Sequence, residues 1–215
     1  MDLFLSVPGP HWPVILREDA LSEPPFGTLV LRPLRRSDRG AWQRLRADNA
    51  QWLGPWEASS PFVAGQEAPA ALTFAQYVRA QNRSAARGAS IPFALEIDGE
   101  LCGQLTISAI TLGSVRGASV GYWVGQEYAG RGIAPTAVAL AIDHCFLNLQ
   151  LHRIEVNIRP ENEPSLKVAH KLGLRDEGLR ERYIHINGSW ADHRAFAITA
   201  DEVPLGLLRR WRSRN

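Results

Sequence analysis

Gly130, Arg131 and Gly132 stand between a short strand pattern and a long apolar helical one, in the stretch EYAGRGIAPTAVALAIDHCF over 127–146. A helix N-terminus leaves its first N–H groups without intrahelical partners and carries the positive end of the helix dipole. Glycines on both sides of an arginine let the backbone take left-handed angles and approach a ligand closely. The spacing therefore points to an anion held by loop amides at the mouth of a helix. A ligand-free strand-to-helix turn is the alternative, and Arg131 either adds charge or lies in solvent. No GK[ST] follows, which excludes a nucleoside-triphosphate loop. No third glycine sits at dinucleotide spacing, so a nicotinamide site has little support.

Other chemistries lack a signature. The six histidines form no HExxH and no cluster with cysteine, so no metal site is expected. No GxSxG surrounds a serine and no Cys/His pair is suggested, so covalent acyl transfer has no anchor. Direct attack of an amine on an activated acyl group needs neither. It needs a neutral amine, a polarised carbonyl and a proton for the leaving group.

The elements that position the loop follow from period and punctuation. Residues 1–27 hold five prolines and read as an extended arm. Thr28 to Arg32 reads as a strand. Ser37 or Asp38 caps a helix to about Asn49, with Trp42 and Leu45 on its apolar face. A second helix spans about Ala70 to Arg87 and carries Leu72, Phe74, Tyr77 and Val78. The period then becomes two, with Ile91, Phe93, Leu95 and Ile97 turning at Asp98-Gly99 into Leu101, Gly103, Leu105 and Ile107. A strand over about Ala118 to Val124 leads into the glycine loop. Pro135 fits the next helix's first turn, and Val138, Ile142, Cys145 and Leu149 form its apolar stripe. Ile154, Val156 and Ile158 mark a strand parallel to the one ending at Val124, because a helix separates them. Asn162 caps a helix that Gly173 stops. Strands near Leu179–Ile186 and His193–Thr199, joined through Asn187-Gly188, end the pattern.

Composition sets the class. The chain has 215 residues, 45% hydrophobic and 21% charged, with net charge +2. That describes an ordinary globule without a general pull toward nucleic acid. Basicity is local, in the ending RRWRSRN. Cys102 and Cys145 have no partner pattern and read as reduced and structural, which suits a cytoplasmic location. The beginning MDLFLSVPGPHWP lacks the basic charge of a signal peptide, and no 18-residue apolar run is present.

Taken together, SVGYWVG, QEYAGRGIA, the helix, HRIEVNIRP and ENEPSLKVAHKLGL, over about 118–174, resemble the acetyl-CoA core of the GCN5-related N-acetyltransferases, the GNAT superfamily. The resemblance implies an α/β (α+β) fold: a mixed, mostly antiparallel twisted sheet with a central splayed parallel strand pair, flanked by helices. It divides the chain into an arm at 1–27, an acetyltransferase domain at 28–200 and a basic tail at 201–215. It implies acetyl-CoA as cosubstrate and no metal. The amides of Ala129, Gly130, Arg131, Gly132, Ile133 and Ala134 would meet the pyrophosphate. The backbone of Trp123 and Val124 would meet the pantetheine and the thioester oxygen, with Asn162 and Ser165 also on the cofactor side.

Two further stretches, NAQWLGPWEASSP over 49–61 and RERYIHINGSWADHRAFAIT over 180–199, resemble the RimJ/RimL type, which acetylates the N-terminal amine of ribosomal proteins. They make Trp52, Trp56 and Glu57 substrate-binding candidates, against simple packing of two tryptophans four apart. The chain departs from the superfamily where Ala169 replaces a tyrosine acid; Ser165, in the NxxS pattern, is the branch's substitute, against plain helix-start polarity. Ser119 stands where many relatives carry an acid. The base is therefore left among Glu181, Tyr183, Asp192, His193 and water, with hairpin polarity as the other reading of His185 and His193.

A magnitude makes that gap tolerable. An α-amine has a pKa of about 7.7–8.0 and a lysine about 10.4, so roughly a tenth of α-amines are neutral at pH 7, against about one lysine in two thousand. The difference is about 3.5 kcal/mol. A site without a dedicated carboxylate suits an N-terminal amine. The expected function is acetyl transfer to a protein N-terminus, ribosomal by resemblance. The alternatives are a polyamine or aminoglycoside acetylase and a non-catalytic coenzyme-A module. Polycations call for several carboxylates, and the two substrate stretches offer Glu57, Glu181 and Asp192. No membrane or sequence-specific nucleic acid is expected as partner, and monomer and homodimer both stay open. Arg209, Arg210, Arg212 and Arg214 form either a weak RNA contact or a solvated tail.

Overall fold

Two Asx-Gly pairs set much of the sheet's register. Asp98 and Gly99, with φ of 51° and 85°, join β3 (Ile91–Ile97) to β4 (Glu100–Thr111). Asn187 and Gly188, with φ of 44° and 89°, join β7 (Arg175–Ile186) to β8 (Ser189–Thr199). Positive φ at both central residues is what a two-residue primed turn requires. The remaining strands are β1 (Leu16–Glu18), β2 (Leu29–Arg32), β5 (Gly117–Val124) and β6 (Arg153–Ile158). This computed structural model describes residues 12–19, 27–61 and 71–213. Its eight strands form one sheet in the order β1-β2-β3-β4-β5-β6-β8-β7, antiparallel except for the pair β5 and β6.

Alternation along β3 divides the core. Phe93 and Leu95 enter the main cluster, and Ala94 joins a smaller one with Leu34, Leu45 and Val78. Successive strand residues face opposite sides, so the sheet is covered twice. The smaller layer is built by α1 (Arg39–Asp48) and α3 (Phe74–Ala86). The larger contains α4 (Ile133–Leu147), α5 (Glu163–Leu172) and α6 (Leu207–Arg212).

Local chemistry moves several expected boundaries. Helix α3 starts at Phe74, because Thr73 and Gln76 close a capping box in which Gln76 Oε1 accepts the Thr73 N–H at 2.8 Å. The expected start at Ala70 lies outside the described residues. Asp38 is no side-chain cap for α1. Its carboxylate accepts the Arg35 N–H at 2.7 Å and the Arg32 guanidinium at 2.8 and 3.0 Å. After α1, a short helix α2 (Ala50–Leu53) gives way to a 3-10 turn over Gly54–Trp56, so Trp52 and Trp56 do not share one helix face.

The largest difference lies at the chain ends. Helix α4 is buried well beyond its expected stripe, at Thr136, Ala137, Ala139 and Ala141 as well. It packs against α5 and the sheet, and α6 covers a further face. Leu207 and Trp211 enter the main core, and Trp211 Nε1 donates to Thr136 Oγ1 at 3.0 Å. The Asp143 carboxylate accepts the Leu207 and Leu208 amides at 2.6 and 3.0 Å, capping α6 from the side of α4. Arg210 donates to the Leu172 carbonyl at 2.6 Å, and Arg212 pairs with the buried Glu18 of β1. The basic ending is thus a docked helix and not the free, solvated tail that is one of the two readings of its arginines. Arg214 lies outside the described residues, as do 1–11 and 20–26 of the arm, whose residues 16–18 supply the edge strand β1.

Candidate active site

The parallel ladder between β5 and β6 ends early. Its register runs from Gly117 and Arg153 to Ser119 and Glu155, while β5 continues to Val124 and β6 to Ile158. Beyond that point the two strands line opposite sides of a cleft of about 360 Å³. Strand-edge N–H and C=O groups require partners. An extended chain bearing its own amides could supply them in the manner of an added strand.

At the end of β5 the glycine loop opens α4. Gly130 and Gly132 have φ of 78° and 74°, and a Cβ built on either meets nothing within 4 Å. The glycines are therefore needed for backbone angle, not for packing room, and the loop is open on that side. No side chain caps α4, and Pro135 in its first turn has no N–H to satisfy. Arg131 lies over the Tyr128 ring at 5.7 Å. The Ala129 amide closes a turn onto Gln126 O at 3.0 Å, so the amide run aimed at an anion begins at Gly130 and not at Ala129. A pyrophosphate fits this arrangement of unpaired amides, dipole and open glycines.

Neighbouring side chains fix the strand end. Trp52 Nε1 donates to the Val124 carbonyl at 3.1 Å, and Asn49 Oδ1 accepts the Gln126 amide at 2.7 Å. Trp52 therefore braces the backbone and stands outside the cleft wall, whereas Trp56 and Trp123 line it. The two substrate stretches meet: Ala58 bridges Ile186, and the Ser59 amide donates to His185 O at 2.9 Å. Trp56 is stacked by Arg159 at 5.7 Å, whose Nη1 donates to the Pro55 carbonyl at 3.2 Å. Glu57 is taken by Arg46 and does not line the cleft.

On the opposite wall, Asn162 Oδ1 accepts the Ser165 amide at 3.2 Å and caps α5. The Ser165 side chain faces the cleft beside Tyr122. Burial pushes the Tyr122 phenol up to about 12, partly offset by Ser165, and its hydroxyl completes no well-formed hydrogen bond. His193 is buried and lines the same cleft. Its Nδ1 lies 2.9 Å from the Ala191 carbonyl, which can only accept. Nδ1 therefore carries the proton, and Nε2 is the basic nitrogen of the neutral ring. Burial lowers the His193 pKa below its ordinary 6.5, so the ring is neutral at pH 7.

The other base candidates are not in the wall. Tyr183 is exposed, beneath Arg180 at 4.9 Å and edge-on to His193 at 6.3 Å. Glu181 is exposed, and Asp192 accepts the Arg182 amide at 2.8 Å. Ser119 Oγ accepts from Asn157 at 3.3 Å. Among the described residues lining the cleft, none is Asp or Glu. Sequence reasoning missed Tyr122, Arg159, Asn157 and Tyr77, which all line it; the signal for Tyr122 was a phenol on a strand otherwise destined for burial. Burial pushes the Cys102 thiol up to about 12 and raises that of Cys145, which leaves both inert. Among the described residues no group of His, Cys, Asp and Glu could hold a metal ion, and no helix is long and apolar enough to cross a membrane.

Comparison with known proteins now bears on this geometry. Residues 28–175 match the family model described as an acetyltransferase (GNAT) domain. The structure is similar to that of Mycobacterium smegmatis RimJ in complex with CoA-disulfide, with a TM-score of 0.82 and 39% identity over 94% of this chain and 95% of that one. The sequence is 29% identical to the Escherichia coli [ribosomal protein uS5]-alanine N-acetyltransferase over 177 residues, 79% of this chain and 87% of that protein. It is 38% identical to the Bacillus subtilis probable N-acetyltransferase YjcK over 101 residues, 47% of this chain and 56% of that protein, so little more than half of that relative is spanned.

Proposed function

Because the chain belongs to the GNAT acetyltransferase family, whose members draw the acetyl group from acetyl-CoA, we propose that its acceptor is the N-terminal α-amine of a ribosomal protein. The observation that carries this reading is a cleft wall whose described residues include no carboxylate and one neutral imidazole, His193. A neutral histidine suffices for an amine of pKa about 8, whereas a lysine costs about 3.5 kcal/mol more to deprotonate. A polyamine would bring several charges against a wall whose described fixed charge is Arg159, itself paired with Glu161 at 3.1 Å. The name of the Escherichia coli uS5-alanine relative agrees with a protein acceptor, although the chain is also 29% identical over 167 residues to an Escherichia coli spermidine N(1)-acetyltransferase.

Acetyl-CoA supplies an acyl group already activated as a thioester. The amides from Gly130 to Ala134 would hold its pyrophosphate, and the inner edges of β5 and β6 its amide-bearing arm. His193 Nε2 takes the proton from the amine nitrogen. Ser165 Oγ supplies a proton at the leaving sulfur, with the Tyr122 phenol beside it. Trp56 and Arg159 form the wall against which the first residues of the acceptor lie.

Turnover of acetyl-CoA against three acceptors tests the proposal. A peptide with a free N-terminal alanine or serine should react. The same peptide with a blocked N-terminus and an internal lysine should not, and spermidine should not. Acetylation of the blocked peptide would move the acceptor to lysine, and activity confined to spermidine would assign a polyamine acetylase.

A further inference from the structure

We propose that the arginine-rimmed groove beside α3 is a docking surface for single-stranded RNA. The groove has a volume of about 530 Å³ and is lined by Trp12, Arg36, Arg79, Asn82 and Arg83, among others. It shares no lining residue with the active-site cleft. Arg79 and Arg83 on α3 and Arg87 at its C-cap recur every four residues, so they stand in one row, about 6 Å apart along the axis. All three are exposed, as are Arg35, Arg36 and Arg39 nearby. Arg36, Arg79, Arg83 and Arg87 have no side-chain hydrogen bond or ion pair with any described residue. Residues 71–91 contain no acid, and Asp38 is committed to Arg32. Like charges four apart on a helix oppose each other; a polyanion laid along the row would relieve that repulsion.

The type of polyanion follows from the side chains. Arginine's planar fork matches phosphate oxygens. The spacing of the row is of the order of that between successive phosphates on one strand. The groove also contains an aromatic ring held in place: Trp12 Nε1 donates to Asn82 Oδ1 at 2.9 Å, and its ring packs on Phe93 at 6.2 Å. A fixed indole beside a cationic row is the arrangement that takes a base and its backbone together. An acidic protein would use the charges but not the ring. The choice of RNA over DNA rests on the ribosomal acceptor proposed above. Tyr77, on the other side of α3, lines the active-site cleft, so RNA bound along the row would hold its attached protein about one helix diameter from the acceptor site.

The test is fluorescence anisotropy with a labelled 20-nucleotide uridine RNA, without acetyl-CoA. Three phosphate contacts at a slope of roughly 0.7 each predict about a 20-fold loss of affinity between 50 and 200 mM salt. Arg79→Glu/Arg83→Glu/Arg87→Glu should abolish that salt-sensitive binding, and the milder triple change to glutamine should weaken it at least tenfold. Arg209→Glu on α6 should leave it alone. Both triple variants should keep wild-type melting and wild-type turnover of an isolated N-terminal peptide, but acetylate a ribosomal subunit more slowly. Wild-type binding that is absent, that survives either triple change, or that is matched by DNA or poly-glutamate of equal length would overturn the proposal. Peptides that fail as acceptors while RNA binding behaves as stated would sink the acceptor reading instead.

Discussion

Gly132 offers a perturbation whose two consequences have opposite sign. It caps α4 with φ 74° and ψ −4°, and a Cβ there would meet nothing within 4 Å. Any side chain pays for the left-handed conformation, roughly 1 kcal/mol, with asparagine and aspartate the best tolerated. Gly132→Asn and Gly132→Asp are therefore a matched pair, equal in size and strain and different in charge. Without ligand, the aspartate recovers about 0.3–1 kcal/mol from the helix dipole, so Gly132→Asp should melt at or above Gly132→Asn. With coenzyme A the order should reverse. A carboxylate about 5 Å from a phosphate charge costs about 1 kcal/mol in water and about 3 at an effective dielectric of 20. That corresponds to roughly a 5- to 200-fold difference in Kd, smaller at high salt. In the wild type, coenzyme A at 100 times Kd adds about 2.7 kcal/mol, or about 5–10 °C for a chain of this size. Differential scanning fluorimetry of the three proteins, with and without coenzyme A at two salt concentrations, reads all of this. Equal coenzyme A shifts for the two variants would refute the assignment of the pyrophosphate to the mouth of α4.

Ser165→Ala should lower kcat about 10²- to 10⁴-fold with little change in coenzyme A affinity; unchanged kcat would return Ser165 to a helix-start role. Trp56→Ala should raise KM for the peptide and leave that for acetyl-CoA unchanged, measured by initial rates. His193 has a depressed pKa, so the base is already available below its ordinary 6.5, and the rate should rise with pH and level near the α-amine pKa of about 8. His193→Gln should cost about 10²-fold and remove the His193 titration from the acid limb, and an unaltered pH profile would reject the base assignment. Trp211→Ala should cost about 3–5 kcal/mol, a fall of about 6–20 °C in Tm; a shift under 3 °C would mean that α6 does not hold α4.

What the sequence made legible was local. Asp98-Gly99 and Asn187-Gly188 announced their turns because only certain residues accept two positive φ angles in succession. Gly130 and Gly132 announced the loop for the same reason, and Asn162 and Gly173 bracketed α5 as residues at helix ends do. The ends of the chain were not legible. Five prolines made 1–27 look extended and four arginines made the ending look solvated. Yet Trp211 finds Thr136, and Arg212 finds Glu18. Those partners lie 75 and 194 residues away, and no periodicity reports a contact at that range.

The site divides along the same line. The glycine loop is one continuous stretch, so its candidate phosphate-binding amides could be named residue by residue, although Ala129 spends its amide on Gln126. The proposed acceptor side is assembled from six separate segments among the described residues, and its decisive property there is the lack of a carboxylate. Glu57, Glu181 and Asp192 read as carboxylates near the mouth, but none lines the cleft, and Glu57 and Asp192 are held by Arg46 and the Arg182 amide. His193 was one candidate among several in sequence. The Ala191 carbonyl at its Nδ1 fixes which nitrogen is basic, and burial keeps the ring neutral. The first effect is local to β8, and the second depends on how the β7–β8 hairpin is packed. The chemistry of the acceptor site is therefore a product of packing, and a substitution that loosens that hairpin should change the acidity of His193 before it changes the fold.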